Sequence, residues 1–152
     1  MSRIQLALNV ADLDEAIAFY SKIFGTEPAK VRDGYANFAI AEPPLKLVLI
    51  AGGGTPGSLN HLGVEVESTE LVKQATDRFE GLGLPIEIQD QTSCCYAVQD
   101  KVWVSGPDTK WEFYTVLTDA PAMAPVGACC APAADSAEVP VSVGAGSSSA
   151  CC

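Results

Sequence analysis

Apolar side chains at Ile4, Leu6, Leu8 and Val10 alternate with Gln5, Ala7 and Asn9, the period-two signature of a strand with one buried face. Asp12 follows, with Glu15 three residues later, a capping box that satisfies the first free amides of a helix. Leu13, Ala16, Ile17, Tyr20, Ile23 and Phe24 then share one helical face. Gly25 is suited to end that helix, because glycine takes the left-handed cap without steric cost. Three extended segments come next: around Lys30-Val31, Tyr35 to Ala41, and Lys46 to Ile50, punctuated by Gly34 and Pro43-Pro44. The pattern predicts a β-α-β-β-β module over about 2–51.

The run Gly52 to Gly57 reads as a flexible, turn-rich linker. It is not a phosphate loop, since no Gly-Lys-Ser/Thr follows and no helix begins there. The first pattern then recurs. Asn60 to Val66 alternates as a strand, and Ser68 caps a helix with an apolar stripe of Val72, Ala75, Phe79 and Leu82. Pro85 to Gln89, Tyr96 to Val104 and Trp111 to Leu117 supply extended segments. His61 lies 56 positions after Gln5, Ser68 56 after Asp12, and Gly81 56 after Gly25. A second β-α-β-β-β module over about 58–118 follows, making an α+β fold in which two such modules pair. The expected domain spans 1–119. Over 120–152 the chain turns to Ala, Pro, Gly, Ser and Val, which cannot bury enough surface to offset ordering entropy, so a disordered tail is expected.

Charge and cysteine usage narrow the chemistry. A formal net charge of -10 and a pI near 4.3 leave no basic stripe for a nucleic-acid backbone. No stretch reads as a transmembrane segment or a secretory signal, so a cytoplasmic location is expected. The six cysteines fall in three adjacent pairs: Cys94-Cys95, Cys129-Cys130 and Cys151-Cys152. Neighbouring cysteines bridge each other only through a strained ring, whereas two adjacent thiols suit one soft, thiophilic atom.

Gln5 and His61 occupy matching places on the first strands of the two modules, and Glu112 lies on the last strand of the second. Taken singly, each has a plain structural account: a surface amide, a hydrogen-bonded histidine, an edge-strand carboxylate. Their matched placement argues instead for convergence on a cleft between the modules. An amide, an imidazole and a carboxylate there resemble the two-histidine-one-carboxylate set that holds ferrous iron with positions open to oxygen. Under the same offset Glu112 would correspond to Leu47, which is no ligand. Successive strand residues point to opposite faces, so Cys94 and Cys95 can grip one atom only on irregular backbone; a mobile loop beside the cleft is expected. Lys101, Trp103 and Tyr96 are expected to pack or line the cleft. The tail pairs Cys129-Cys130 and Cys151-Cys152 are candidate auxiliary metalloid ligands.

Five segments carry a family resemblance: Arg3 to Leu8 (RIQLAL), Tyr35 to Ile50 (YANFAIAEPPLKLVLI), Leu59 to Val66 (LNHLGVEV), Cys94 to Gly106 (CCYAVQDKVWVSG) and Trp111 to Val116. Over residues 2 to 118 the chain resembles the vicinal oxygen chelate superfamily, and more narrowly its arsenic–carbon lyases and cadmium-induced proteins. The resemblance implies Fe(II) held by Gln5, His61 and Glu112, and a trivalent organoarsenical captured by Cys94 and Cys95. It implies oxygen-dependent cleavage of the carbon–arsenic bond of methylarsenite or trivalent aromatic arsenicals, with release of arsenite. A non-catalytic cadmium- or arsenite-binding role is the alternative, as the thiols alone would serve it. A glyoxalase-like isomerase is disfavoured by the apolar residue where a fourth ligand is expected, and extradiol ring cleavage by Gln5 in place of histidine. Monomer and homodimer both remain open.

Overall fold

The computed structural model describes residues 2–121, and the tail cysteines Cys129, Cys130, Cys151 and Cys152 lie outside them. The elements run β1 (Arg3–Val10), α1 (Leu13–Phe24), β2 (Lys30–Arg32), β3 (Tyr35–Ile40), β4 (Leu45–Ala51), β5 (Leu59–Glu65), α2 (Thr69–Gly81), β6 (Ile86–Cys94), β7 (Ala97–Ser105) and β8 (Lys110–Asp119). They form two successive β-α-β-β-β modules, as the periodicity predicts.

All eight strands join one curled mixed sheet in the order β2-β3-β4-β1-β5-β8-β7-β6. The modules meet where β1 pairs antiparallel with β5; each of these first strands also pairs in parallel with the last strand of its own module, β4 or β8. First and last strands of both modules therefore lie side by side at the centre.

Period-two alternation sorts the side chains between the two faces. Leu6 and Leu8 of β1 pack with Phe38, Leu47 and Leu49 under the half-buried stripe of α1, formed by Leu13, Ala16, Ile17, Tyr20 and Phe24. Val72, Ala75 and Phe79 of α2 likewise pack on Val102, Val104 and Phe113. Gln5, Ala7 and Asn9 project from β1 on the opposite, concave face. There Ala7, Tyr35, Val48 and Ile50 form a smaller apolar cluster that includes Cys95 and Tyr96.

Both helices start at the predicted caps: Asp12 Oδ1 accepts the Glu15 amide at 2.8 Å, and Ser68 Oγ that of Leu71 at 3.4 Å. Only the end of α2 differs from expectation. Gly25 takes the left-handed cap with φ of 60°, but α2 runs through Gly81, and the left-handed residue is Gly83 with φ of 67°. Leu82 then caps α2 in the open and Ile23 faces solvent, so neither belongs to a buried stripe. The Gly52–Gly57 run is tied down, because Gly57 donates its amide to the Asn9 carbonyl and Asn9 its amide to Ser58. No helix among the described residues is long and apolar enough to cross a membrane.

Candidate functional site

Three neighbouring strands bring Gln5, His61 and Glu112 together. The register Gln5–Gly63–Glu112 runs straight across β1, β5 and β8, and His61 stands one inward position along β5. Gly63 makes the meeting possible. A Cβ there would lie 2.9 Å from Glu112 Cγ, 3.2 Å from the Glu112 carbonyl oxygen and 3.4 Å from Gln5 Cβ. With no side chain between them, Gln5 Nε2 donates to Glu112 Oε1 at 2.5 Å, while His61 Nε2 lies 3.0 Å from Gln5 Nε2 and 3.2 Å from Glu112 Oε1. All three residues are buried.

Donor bonds of about 2.1 Å to one cation set ligand atoms at right angles about 3.0 Å apart; two edges of this triangle, 3.0 and 3.2 Å, match that spacing, and the third, at 2.5 Å, is shorter. Among the described residues no group of three or more His, Cys, Asp and Glu side chains is arranged for a metal; here the Gln5 amide completes the set. The residues fit a small divalent cation of intermediate hardness.

Partners outside the triangle fix its members. Asn60 Nδ2 donates to Asn9 Oδ1 at 2.9 Å, which turns Asn60 Oδ1 toward His61 Nδ1 at 2.7 Å. The imidazole proton then belongs on Nδ1, and Nε2 keeps its lone pair for the cleft. Lys101, buried in mid-strand, donates to Glu112 Oε2 at 3.0 Å, leaving Oε1 for the triangle. Burial alone would push the Glu112 carboxyl up, but the neighbouring Lys101 charge outweighs it and holds the group down at about 2. Burial would likewise lower Lys101, yet Glu112 keeps its ammonium well above the ordinary range. Trp103 stands edge-on to the His61 ring at 5.4 Å. Sequence reasoning left Lys101 without a role and did not single out Asn60 or Gly63. The one signal was a lysine alternating with Gln99 and Trp103 along an otherwise inward face.

The thiols sit on a tight turn, where a loop was expected. β6 continues through Thr92 and Ser93 to Cys94, which pairs with Ala97, so Cys95 and Tyr96 alone form the connection. Both have positive φ, 53° and 61°, as a two-residue turn that follows strand twist requires. Neither is glycine or asparagine, so the turn is strained by about 1–3 kcal/mol per residue and relies on surrounding contacts. Those contacts reach the other module. The Tyr96 hydroxyl donates to the Asp33 carbonyl at 3.2 Å, the Tyr96 and Tyr35 rings lie 5.7 Å apart, and the Tyr96 carbonyl accepts the Ala120 amide and Lys30 Nζ. The left-handed Cys95 supplies the irregular backbone that two thiols need: the sulfurs of Cys94 and Cys95 lie 3.2 Å apart on one side, without a disulfide. Beside Cys95, a cavity of about 210 Å³ is bounded by Arg3, Lys30, Lys46, Tyr35 and Gln99. A larger cavity, about 520 Å³, lies between α2 and β6, away from these residues.

The offset of 56 does not survive to the last strands. Ala7 faces Val48 across β1 and β4, as Gly63 faces Glu112 across β5 and β8, so the counterpart of Glu112 is Val48 and not Leu47. Val48 is apolar and buried in the concave cluster, so the first module contributes no carboxylate.

The chain belongs to the glyoxalase/bleomycin resistance protein/dioxygenase superfamily, whose family description matches residues 3–119. Within it the chain is 57% identical over 149 residues to a trivalent organoarsenical cleaving enzyme of Thermomonospora curvata, covering 95% of this chain and 98% of that protein. It is also 60% identical over 120 residues to the cadmium-induced protein CadI of Mycobacterium tuberculosis, with 78% of this chain and 79% of CadI covered. Among solved structures, an extradiol ring-cleaving dioxygenase from B. fuscum shares the fold at TM-score 0.56 and 21% identity, covering 78% of this chain and 33% of that one. A Mn(II)-bound glyoxalase from Novosphingobium aromaticivorans does so at TM-score 0.55 and 17% identity, covering 79% and 42%.

Two outcomes follow from this geometry. Gly63→Ala should destabilise the protein by about 1–3 kcal/mol through overpacking, read as a lower urea midpoint, and should weaken His61-dependent Co(II) binding. Glu112 has a folded pKa depressed to about 2 from an ordinary 4.5, so its contribution to stability is full above 4.5 and lost as pH falls toward 2. Urea midpoints measured across that window should fall less steeply in Glu112→Gln than in the wild type.

Proposed function

We propose that this chain is an enzyme that cleaves the carbon–arsenic bond of trivalent organoarsenicals, using Fe(II) held by Gln5, His61 and Glu112, with molecular oxygen as oxidant and arsenite as product. The observation that carries the reading is the presence, on one concave face, of both a three-donor oxygen and nitrogen set and a vicinal thiol pair. Binding of a thiophilic metalloid needs the thiols alone. The buried triangle, the Asn60 contact that orients His61 and the Lys101 partner of Glu112 are superfluous to sequestration and suit a redox metal. The likeness to the Thermomonospora curvata enzyme, along nearly the whole of both chains, supports the same substrate class.

Each thiol displaces one hydroxyl from the trivalent arsenic, forming an As–S bond and releasing water. Two such bonds fix the arsenic and leave its single carbon substituent to be aimed at the cleft. Holding the two reactants in this way converts an encounter into an intramolecular step. Bound at Gln5, His61 and Glu112, Fe(II) would supply the binding and activation of oxygen. The chain's own residues do the rest. Lys101 keeps Glu112 ionised, and Asn60 keeps the His61 lone pair inward. The cluster of Ala7, Tyr35, Val48 and Ile50 gives Cys95 an apolar support. Tyr35 is a neutral hydroxyl at working pH, since burial and the neighbouring thiols push it above the ordinary phenol range. Arsenic enters and leaves trivalent, so the oxidising equivalents fall on the organic group. Pentavalent arsenicals, harder and crowded by oxygens, are poorer partners for soft thiolates.

The deciding experiment measures arsenite released from methylarsenite by freshly Fe(II)-loaded protein, with and without oxygen. Release is expected only with both, and it should vanish in His61→Ala and on iron removal. Cys94→Ser should lower kcat/KM by about 100-fold or more while leaving Fe(II) bound. Tight methylarsenite binding with no release, iron and oxygen being present, would instead make the chain a sequestration protein.

A further inference from the structure

Gln5 meets the triangle with one end of its amide and Tyr114 with the other. Its Nε2 faces Glu112 Oε1 and His61, and its Oε1 accepts the Tyr114 hydroxyl. An amide nitrogen has no lone pair to give, so holding a cation requires the amide to turn over and present Oε1. Nε2 then faces the Tyr114 oxygen, which must accept where it previously donated. The hydroxyl proton needs another acceptor, and one is at hand. Glu65 Oε2 lies 2.9 Å from the Tyr114 hydroxyl, and the Glu65 carboxylate is ion-paired with both Arg3 and Lys46 at 2.8 Å. A hydroxyl is a group that can both donate and accept, and an ionised carboxylate is the stronger of the two acceptors open to its proton. Tyr114 is fully buried, which leaves this exchange to the side chains themselves.

We propose that Tyr114, with Glu65 as its second acceptor, is the positioning residue that lets Gln5 turn its amide oxygen to the metal. The inference rests on the reading of Gln5, His61 and Glu112 as a metal site. Tyr114 touches no reacting atom in this scheme; it acts through Gln5. Phenylalanine at 114 would keep the ring but leave the turned amide without an acceptor for its N–H.

A double-mutant cycle read by Co(II) titration tests it, counting only binding that His61→Ala removes. With Gln5 in place, Tyr114→Phe should weaken Co(II) binding by about 10- to 100-fold, the usual cost of losing a partner that orients a ligand. A carboxylate presents an oxygen whichever way it lies, so in a Gln5→Glu background the same change should cost no more than about twofold. Equal losses in both backgrounds would make Tyr114 a packing residue and overturn the proposal. A second measurement uses the wild-type chain, and so stands even if Tyr114→Phe fails to fold. In Zn(II)-loaded protein with 15N-labelled glutamine, the Gln5 side-chain amide protons should show contacts to the Tyr114 ring. Contacts to the His61 ring instead would overturn the proposal. Absence of any His61-dependent Co(II) binding in the wild type would be a different failure, sinking the metal reading itself.

Discussion

The site depends on a gap. Gln5 and Glu112 stand on strands that are not neighbours, with β5 between them, and any side chain at Gly63 would occupy the space in which they meet. Strand spacing of about 4.8 Å puts the outer two near 10 Å apart, too far for backbone hydrogen bonds but within reach of an amide and a carboxylate leaning over a bare glycine. Neighbouring positions have no such freedom. His61 comes from the same strand as the glycine, so one register error in β5 would exchange the inward histidine for Leu62 and fill the gap with Val64. The apolar packing of Leu6 and Leu8 beneath α1 and of Phe113 beneath α2 fixes the faces of the two flanking strands, and Val66, next after β5, packs in the same α2 cluster. The helix-side core therefore determines which polar groups converge on the concave side.

Charge on that side is balanced locally. Glu112 is neutralised by Lys101, and Glu65 by Arg3 and Lys46, with Tyr114 standing between the two carboxylates. Breaking a buried pair of this kind by removing one partner costs about 3–5 kcal/mol, so these lysines are held by more than surface convenience. The thiol turn is held differently. Its left-handed backbone is braced by contacts with the first module as well as by its own hairpin, so the geometry that brings two sulfurs together draws on both halves.

Much of this was legible from the chain alone, for identifiable reasons. Period-two and period-3.6 patterns, two polar caps and the 56-residue repeat define both modules, and the repeat places Gln5 and His61 on equivalent strands. Glu112 was legible as a carboxylate in an inward-alternating strand. What escaped depends on register between distant segments. Lys101 meets Glu112 because β7 and β8 align Trp103 with Glu112. Asn60 and Asn9 meet across β5 and β1, and Tyr114 reaches both Gln5 and Glu65, contacts that no local pattern encodes. The α2 terminus was misplaced because Gly81 has a helix-compatible backbone and the left-handed position falls at Gly83. The thiol turn was misread because Cys-Tyr is an uncommon pair for two positive φ angles, which asparagine and glycine usually supply.

The mismatch between Leu47 and Val48 has a consequence of its own. From β4 to β8 the offset is 64 where elsewhere it is 56, so the second module carries eight extra residues between its helix and its last strand. They lengthen one hairpin: β6 and β7 have nine residues each, against three and six in β2 and β3. The turn at Cys95-Tyr96 is the counterpart of the one at Asp33-Gly34, and the added length is what lets the two touch, through Tyr96 and the Asp33 carbonyl. Two equal arms would not bring these turns together in this way; the longer second arm meets the first at its tip and carries the thiols there. The tip at Cys95-Tyr96 lies beyond the part of β7 that carries Lys101 and Trp103, so it stands apart from the contacts that hold Glu112 and His61.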